Sequence, residues 1–325
     1  MPIEILKLIL LIIGFFYLIK KNKKIAFKLN VMDIPNESRK FHTKPVPLTG
    51  GLFILLAFLI DTLSNYIKYN SISDDQIYLT ILFFLVFLIG FIDDAFSISP
   101  IKRLVTLGII LLIFIKLIPE FQINNFEFRD FNYIATLNSY GVFITIFFIL
   151  MFINSNNMID GINGIAVYFF IFVLTYIIIK TNISYYNVFL ISLLLLLYLN
   201  LSNKLFLGSS GNMLMSIYLS YMIISNYNSN ESFYCDEIFI LFILPGFDMF
   251  RLFIQRIMNK KNPFIGDRNH LHHIISHKYG NNNAFLVWIS LCTYPIILFN
   301  FFNLNTLIIL CIFLLNYFYL IITKN

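Results

Sequence analysis

Charge is scarce in this sequence. Only 12% of its 325 residues are Asp, Glu, Lys or Arg, while 59% are hydrophobic. An ordinary soluble domain carries about 25% charge, so that class is excluded. Cysteine is scarce too. Cys235, Cys292 and Cys311 lie far apart with no metal-binding or redox spacing, and they read as small apolar residues in helices. The apolar runs lack period-two alternation, which excludes a transmembrane β-barrel. The first run, Ile3–Ile19, lacks a basic leader and a small-residue cleavage site, so it reads as a retained helix and not a signal peptide. No internal repeat is visible, and no separate soluble domain. The net charge of +6 reads as a bias of loop charge, with no nucleic acid as partner.

What remains is long apolar runs, and a run of about 20 residues spans a bilayer. The fold class is therefore all-α: a polytopic integral membrane helical bundle of about eleven transmembrane helices, with residues 1–325 forming a single transmembrane domain. The expected spans are Ile3–Ile19, Leu48–Ile67, Gln76–Ile92, Ile101–Ile118, Tyr140–Asn156, Gly164–Ile179, Tyr186–Leu201, Gly211–Tyr227, Asp236–Ile257, Ala284–Phe301 and Leu304–Ile322. Alternate loops differ sharply in basic residues. One set carries only Lys68, Arg129 and Lys180. The other carries the cluster from Lys20 to Lys28, then Arg39, Lys40, Lys44, Lys102, Arg103, Lys204, Arg256, Lys260, Lys261, Arg268, Lys278 and Lys324. The positive-inside rule puts the basic set in the cytoplasm, hence an outside N-terminus and a cytoplasmic C-terminus.

Every notable polar cluster falls on that cytoplasmic side. In the stretch from Asn154 to Asn163, Asn154, Asn157, Asp160 and Asn163 recur every third residue. On a helix they form one slowly drifting polar stripe. The alternative is a polar helix end running into a surface loop. Gly161 and Gly164 would let another backbone or a ligand come close. Asp93 and Asp94 close the third span. Adjacent carboxylates repel, so a nearby cation is expected, and hard oxygen donors suit Mg²⁺ or Mn²⁺. Acidic groups at a helix C-terminus oppose the dipole, which favours a functional reading over a solvated helix end.

The loop from Asp33 to Gly51 is stiffened by Pro35, Pro45 and Pro47 and made basic by Arg39, Lys40 and Lys44. Charge alone favours attraction to anionic head groups over capture of an anionic substrate. The stretch from Asn262 to His273 holds Arg268, His270, His272 and His273. Anion binding suits it better than zinc, because no cysteine lies near and Arg268 would oppose a cation. Asp248 and Arg251, three apart inside a span, form either an intrahelical ion pair or part of a site lining. Asp61, also within a span, has no partner evident from sequence.

Four pieces in this order resemble the polyprenyl-phosphate N-acetylhexosamine-1-phosphate transferases, a superfamily that includes the phospho-N-acetylmuramoyl-pentapeptide transferases. They are the loop with Asp33, Pro35, Asn36, Arg39, Lys40, His42, Pro45, Pro47, Gly50 and Gly51; the pair Asp93-Asp94; the run from Asn157 to Gly164; and the run from Asp267 to His273. The first loop looks more like the polysaccharide-initiating branch. The resemblance implies that a membrane polyprenyl phosphate attacks the sugar-linked phosphorus of a UDP-N-acetylhexosamine, giving polyprenyl-diphosphate-sugar and UMP. It implies a bacterial inner membrane enzyme whose active site faces the cytoplasm, with Mg²⁺ or Mn²⁺ as cofactor and polyprenyl phosphate, UDP-N-acetylhexosamine and the bilayer as partners. A homodimer is admissible.

Asp93, Asp94 and Asp160 are carried over as catalytic and metal-holding residues. Substrate-binding positions are Asp33, Arg39, His42, Lys44, Asn157, Arg268, His270, His272 and His273. A phosphate monoester with a second pKa near ~6 is already mostly dianionic at neutral pH. The acidic pair therefore reads as an organiser of metal or phosphate more than as a base. Two departures from the family pattern stand out. Asn163 replaces the second Asp of Asp-Gly-Ile-Asp-Gly, and Ser209 replaces the Asp of Gly-Asp-x-Gly-Ser. Losing two carboxylates weakens a divalent-cation site. Either Asp93, Asp94 and Asp160 suffice, or metal use has changed, or the enzyme is impaired. Two other readings stand beside the transferase: an altered member that only binds lipid phosphate or nucleotide, and, more distantly, a transporter with midplane charges at Asp248 and Arg251.

Overall fold

The computed structural model describes residues 3–35, 44–131, 133–182, 187–230, 233–264 and 269–322. The described residues form thirteen α-helices: α1 (Ile3–Lys28), α2 (Gly50–Tyr69), α3 (Asp74–Phe96), α4 (Pro100–Leu117), α5 (Gly141–Ile159), α6 (Ile165–Thr181), α7 (Asn187–Leu201), α8 (Gly208–Asn230), α9 (Cys235–Leu241), α10 (Ile243–Met258), α11 (Leu271–Tyr279), α12 (Asn281–Asn300) and α13 (Thr306–Ile322). Four stretches are long and apolar enough to cross a membrane: Gly50–Tyr69, Asp74–Phe96, Asn138–Ile159 and Asn283–Asn300. Three shorter apolar helices accompany them, Ile165–Thr181, Val188–Leu201 and Thr306–Ile322. The protein is thus a polytopic helical membrane protein, as its uncharged, non-alternating runs require, because a helix satisfies its own backbone groups within lipid.

Two small antiparallel ribbons interrupt the all-α plan. β1 (Met32–Asp33) pairs with β2 (Val46–Pro47), and β3 (Asn125–Phe128) pairs with β4 (Tyr133–Thr136). The second ribbon organises a connection in which the sequence shows no motif.

α8 is the hub. It is buried continuously from Ser210 to Ser220 and packs against α2, α3, α5 and α6. Tyr218 stacks on Phe189 at 4.3 Å between ring centroids and meets Phe83 edge-on at 5.7 Å. Its polar side chains are absorbed locally. Asn156 Nδ2 donates to Ser216 Oγ at 3.0 Å, and Ser220 Oγ donates to the Ser216 carbonyl at 2.8 Å. Between lipid-facing helices the driving force is close packing, so small residues set the approach. Gly90 of α3 shows this: a Cβ there would lie 2.5 Å from Ser210 Cα. Only glycine lets the end of α3 reach the first turn of α8.

Three expectations change. The polar stripe is not one helix. α5 ends at Ile159, so Asn154 and Asn157 lie on it while Asp160 and Asn163 lie on the following turn, and Gly164 takes φ +90° before α6. The span expected at Asp236–Ile257 is two helices, broken at Phe242. Asp61 does have a partner: Lys7, 1% exposed, donates to it from α1 at 3.0 Å.

Candidate active site

Helices alternate in direction, so the C-terminal ends of α3, α5 and α7 meet the N-terminal ends of α8 and α12 at one end of the bundle. There they enclose a cavity of about 930 Å³. Asp33, Asp94, Asn157, Asp160, Asn163, Ser209 and His273 are among its lining residues. All four candidate clusters therefore contribute here, and the segment around Lys204 supplies Asn203, Phe206, Gly208 and Ser209.

Asp33 arrives through the β1–β2 ribbon. The ribbon is docked by Phe206 N donating to the Pro47 carbonyl at 2.9 Å and by Gly50 N donating to the Phe206 carbonyl at 3.0 Å. Asp94 projects from the last turn of α3 into the open first turn of α8. Its carboxylate accepts from Ser209 N (2.6 Å), Ser210 N (3.0 Å) and Ser210 Oγ (2.7 Å). Free helix N-terminal amides with a positive dipole end are a natural seat for an anion. Gly208 makes the seat possible, with φ +73° and Asp94 Oδ2 only 2.7 Å from where its Cβ would be.

Asp93 turns the other way. It does not line the cavity. It accepts from Arg103 Nη1 and from Ile98 N, each at 2.9 Å. The cation expected beside the acidic pair is thus present as Arg103, at the start of α4. Arg103 also serves Asn157, whose amide oxygen, turned toward the guanidinium, accepts from Nη1 and Nη2 at 3.3 Å each. Sequence reading counted Arg103 only as positive-inside charge. Its place, ten residues after Asp93 across a tight helical hairpin, was the available signal.

Asp160 is exposed on the cavity wall, while protein packed around its carboxyl displaces part of its water. That desolvation, followed by the charges of Asp94 and Asp33, pushes its carboxyl up to about 7, although Asn212 hydrogen-bonds to it. The turn that carries it is pinned to the α7 end. Asn163 Nδ2 donates to Asn203 Oδ1 at 2.6 Å, and Gly164 N donates to Asn200 Oδ1 at 2.5 Å. Where the family pattern has a second Asp, this chain has an amide pair. Asn200 and Asn203 also escaped sequence reading.

The histidines divide. His273 lines the cavity, while His270 and His272 lie buried behind it. Burial, then His273 and His270, hold His272 well below the ordinary imidazole range. It is a neutral ring whose two nitrogens have no hydrogen-bond partner among the described residues. Lys44 stands before β2, outside the lining. Arg39, His42 and Arg268 lie outside the described residues.

Among the described residues, the lining holds three carboxylates, Asp33, Asp94 and Asp160, and no Lys or Arg. Carboxylates gathered on one space offer oxygen donors that fit a hard divalent cation. The raised Asp160 carboxyl is the strain such an ion would relieve.

Known proteins resemble this chain along most of its length. Residues 76–227 match glycosyl transferase family 4. That family 4 segment runs from α3 through α8 and includes Asp94, Asn157, Asp160 and Ser209. The chain is 27% identical over 286 residues to the undecaprenyl-phosphate alpha-N-acetylglucosaminyl 1-phosphate transferase of Thermotoga maritima, covering 85% of this chain and 83% of the relative. The protein of the same name from Escherichia coli K12 is 27% identical over 272 residues, 78% of this chain and 71% of the relative. A probable undecaprenyl-phosphate N-acetylglucosaminyl 1-phosphate transferase of Bacillus subtilis is 28% identical over 263 residues, 77% of this chain and 71% of the relative. The family resemblance read from the motifs is borne out.

Proposed function

We propose that this protein transfers N-acetylhexosamine 1-phosphate from a UDP-sugar to a membrane polyprenyl phosphate, with N-acetylglucosamine the first sugar to test. The observation that carries this reading is the convergence of Asp33, Asp94, Asn157, Asp160 and His273 on one cavity at the end of a membrane bundle. An oxygen of the lipid phosphate attacks the sugar-linked phosphorus. A P–O bond forms there, the bond to the bridging oxygen breaks, and UMP leaves with that oxygen.

Phosphoryl chemistry of this kind is positioning and charge neutralisation more than covalent catalysis. Asp94 and Asp160, with Asp33 across the cavity, would hold a divalent cation, Mg²⁺ or Mn²⁺. Such an ion supplies Lewis-acid neutralisation of the diphosphate and the incoming phosphate. Asp93 acts one step back, fixing Arg103 and through it the Asn157 amide. The Asn163–Asn203 pair shapes the rim, and Phe285 and Leu286 give it an apolar wall. Arg39, His42, Lys44 and Arg268 remain proposed contacts for the anionic substrates.

The cavity end faces the cytoplasm of a bacterial inner membrane in this reading. Lys20 to Lys28, Lys102, Arg103, Lys204, Lys260 and Lys261 all sit at that end, as the positive-inside rule asks. The chain crosses about eleven times, with α9 and α10 sharing one crossing and α11 too short for its own. The N-terminus is then outside and the C-terminus inside, with the whole chain one transferase unit. The charges that motivated a transporter, Asp248 and Arg251, pair at 2.8 Å beside the histidine segment.

The test uses purified full-length protein in lipid nanodiscs with polyprenyl phosphate, a panel of UDP-N-acetylhexosamines and Mg²⁺ or Mn²⁺. Cation-dependent UMP release, with radiolabel moving into extractable lipid, is the expected result. Folded protein that binds UDP-sugar but releases no UMP with any cation would overturn it.

A further inference from the structure

One buried cluster lies outside the cavity and is not used by the reaction as described. Asp248 of α10, fully buried, faces His270 and His272, and the three offer ligand atoms within 4.8 Å of one another. That spacing invites a metal. The partners of Asp248 argue against one. Its carboxylate accepts from Arg251 Nη2 at 2.8 Å, Tyr317 Oη at 2.6 Å and Leu271 N at 3.2 Å, and faces His270 Nδ1 at 3.1 Å. An ionised carboxylate offers about four acceptor positions, and these partners fill them. The Arg251 guanidinium already stands where a cation would be needed.

What the cluster grips is a segment of chain. Arg251 Nη2 also donates to the Asn269 carbonyl at 2.7 Å, and Arg251 Nε donates to Tyr317 Oη at 2.6 Å. His270 is the N-cap of α11 and its carbonyl accepts from His273 N at 3.0 Å and Ile274 N at 3.1 Å. Fixing Asn269, His270 and Leu271 therefore fixes the first turn of α11. From that turn His272 packs edge-on against Trp288 at 5.9 Å, and His273 reaches the cavity. Both rings press on Gly161, where a Cβ would collide with His272 Nε2 and come within 3.1 Å of His273 Nε2. A shift of the α11 turn is thus transmitted to His273 and to the turn bearing Asp160 and Asn163.

We propose that Asp248, Arg251 and Tyr317 are positioning residues for the transfer reaction, clamping the start of α11 so that His273 stands at the nucleotide-sugar side of the cavity. The inference rests on the proposed function and names residues beyond it. Tyr317 comes from the last helix, outside every motif. Misplacing a binding group by even about 1 Å is costly when catalysis is positioning. Polyprenyl phosphate, entering from the bilayer, does not depend on this turn.

Tyr317→Phe is the decisive variant, because it removes one hydroxyl and no packing volume. In full-length protein in nanodiscs, KM and Kd for UDP-N-acetylglucosamine should rise roughly tenfold, the scale of a lost hydrogen bond to a charged group. KM for polyprenyl phosphate should not move, and the melting temperature should fall only modestly, by the loss of one buried hydrogen-bonding hydroxyl. Asp248→Asn should shift the same constant further in the same direction. Unchanged constants in Tyr317→Phe, or both KM values rising together, would overturn the clamp. Titration of UDP-N-acetylglucosamine keeps the two ideas apart. Native protein that binds the nucleotide sugar without turnover removes the proposed function while Tyr317→Phe still decides the clamp by Kd. Native protein that neither binds nor turns over sinks both.

Discussion

At the end of the bundle away from the cavity, Glu237 is fully buried and is met by the Tyr176 hydroxyl, by Lys180 at 2.9 Å and by Tyr234 N at 3.3 Å. Arg129 binds Asp130 at 3.1 Å and the carbonyls of Phe299 (3.0 Å) and Leu304 (2.8 Å), with its guanidinium 3.4 Å above the Phe299 ring. Asp236 accepts from Arg129 N, Asp130 N and Thr306 Oγ1. Each charge there has an opposite charge or a full set of donors. The cavity end differs: among the described residues, three carboxylates face one space that no Lys or Arg lines, and the buried His272 ring nitrogens have no hydrogen-bond partner. A buried polar cluster that is completely paired holds a structure together. Carboxylates crowded onto one open space carry a standing cost of mutual repulsion, and that cost is the mark of groups kept for a ligand.

The comparison breaks most visibly if its two ends respond alike to mutation. Asp160→Asn should lower UMP release on the order of 10³-fold, the scale of removing one preorganised electrostatic group. Its melting temperature should hold or rise, because one repelling charge is gone. Retained turnover, or a collapsed fold, would contradict the assignment of that end. Arg129→Ala should do the opposite. Asp130 and two carbonyls lose their donor, which costs roughly 2–4 kcal/mol. Thermal unfolding should move down sharply while turnover per folded molecule stays near native.

How much of this was legible beforehand differs between the ends. At the cavity end, motifs and the family resemblance they carry named Asp33, Asp94, Asn157, Asp160 and His273, and all five line the cavity. Motifs carry such residues because a ligand fixes their types. Partners across helices were not legible. Arg103, Tyr317 and the Asn163–Asn203 pair depend on which helix ends meet, and local periodicity does not encode that. Lys7 with Asp61 failed for the same reason, two charges 54 positions apart whose contact needs the packing of α1 on α2. At the opposite end almost nothing was legible. Its cluster draws on α6, α9, the β3–β4 connection, and the ends of α12 and α13, with no shared motif. The apolar runs gave the helical membrane class, because a run free of charge has few other uses. They could not give the break at Phe242.

Ser209→Asp sharpens the cavity end with a smaller effect. Ser209 lines the cavity and its amide already holds Asp94 at 2.6 Å. A fourth carboxylate there should tighten divalent-cation binding about tenfold, since affinity follows ligand charge. Titration calorimetry with Mg²⁺ on native and variant protein reads it directly. An unchanged or weaker affinity would place the ion away from the start of α8.

The mildest prediction uses pH. Asp160 in the cation-free protein has its carboxyl pushed up to about 7, by burial first and by Asp94 and Asp33 after it. Its folded value lies above the ordinary carboxylate value of 3.8, so its contribution to stability is fully present below that ordinary value and is lost as pH rises through about 7. Without a cation, the melting temperature should therefore fall between pH 5 and pH 8, and Mg²⁺ should restore it more at pH 8 than at pH 5. Binding runs with the opposite slope. Below pH 7 a proton occupies Asp160 and must leave, so cation affinity should rise through pH 7 and level off above it, being about tenfold weaker one unit below the midpoint. Mn²⁺ titration by electron paramagnetic resonance at pH 6 and pH 8 measures the slope, and Asp160→Asn should flatten it. A slope that survives that substitution would move the titrating ligand to Asp94, which lies across the same cavity.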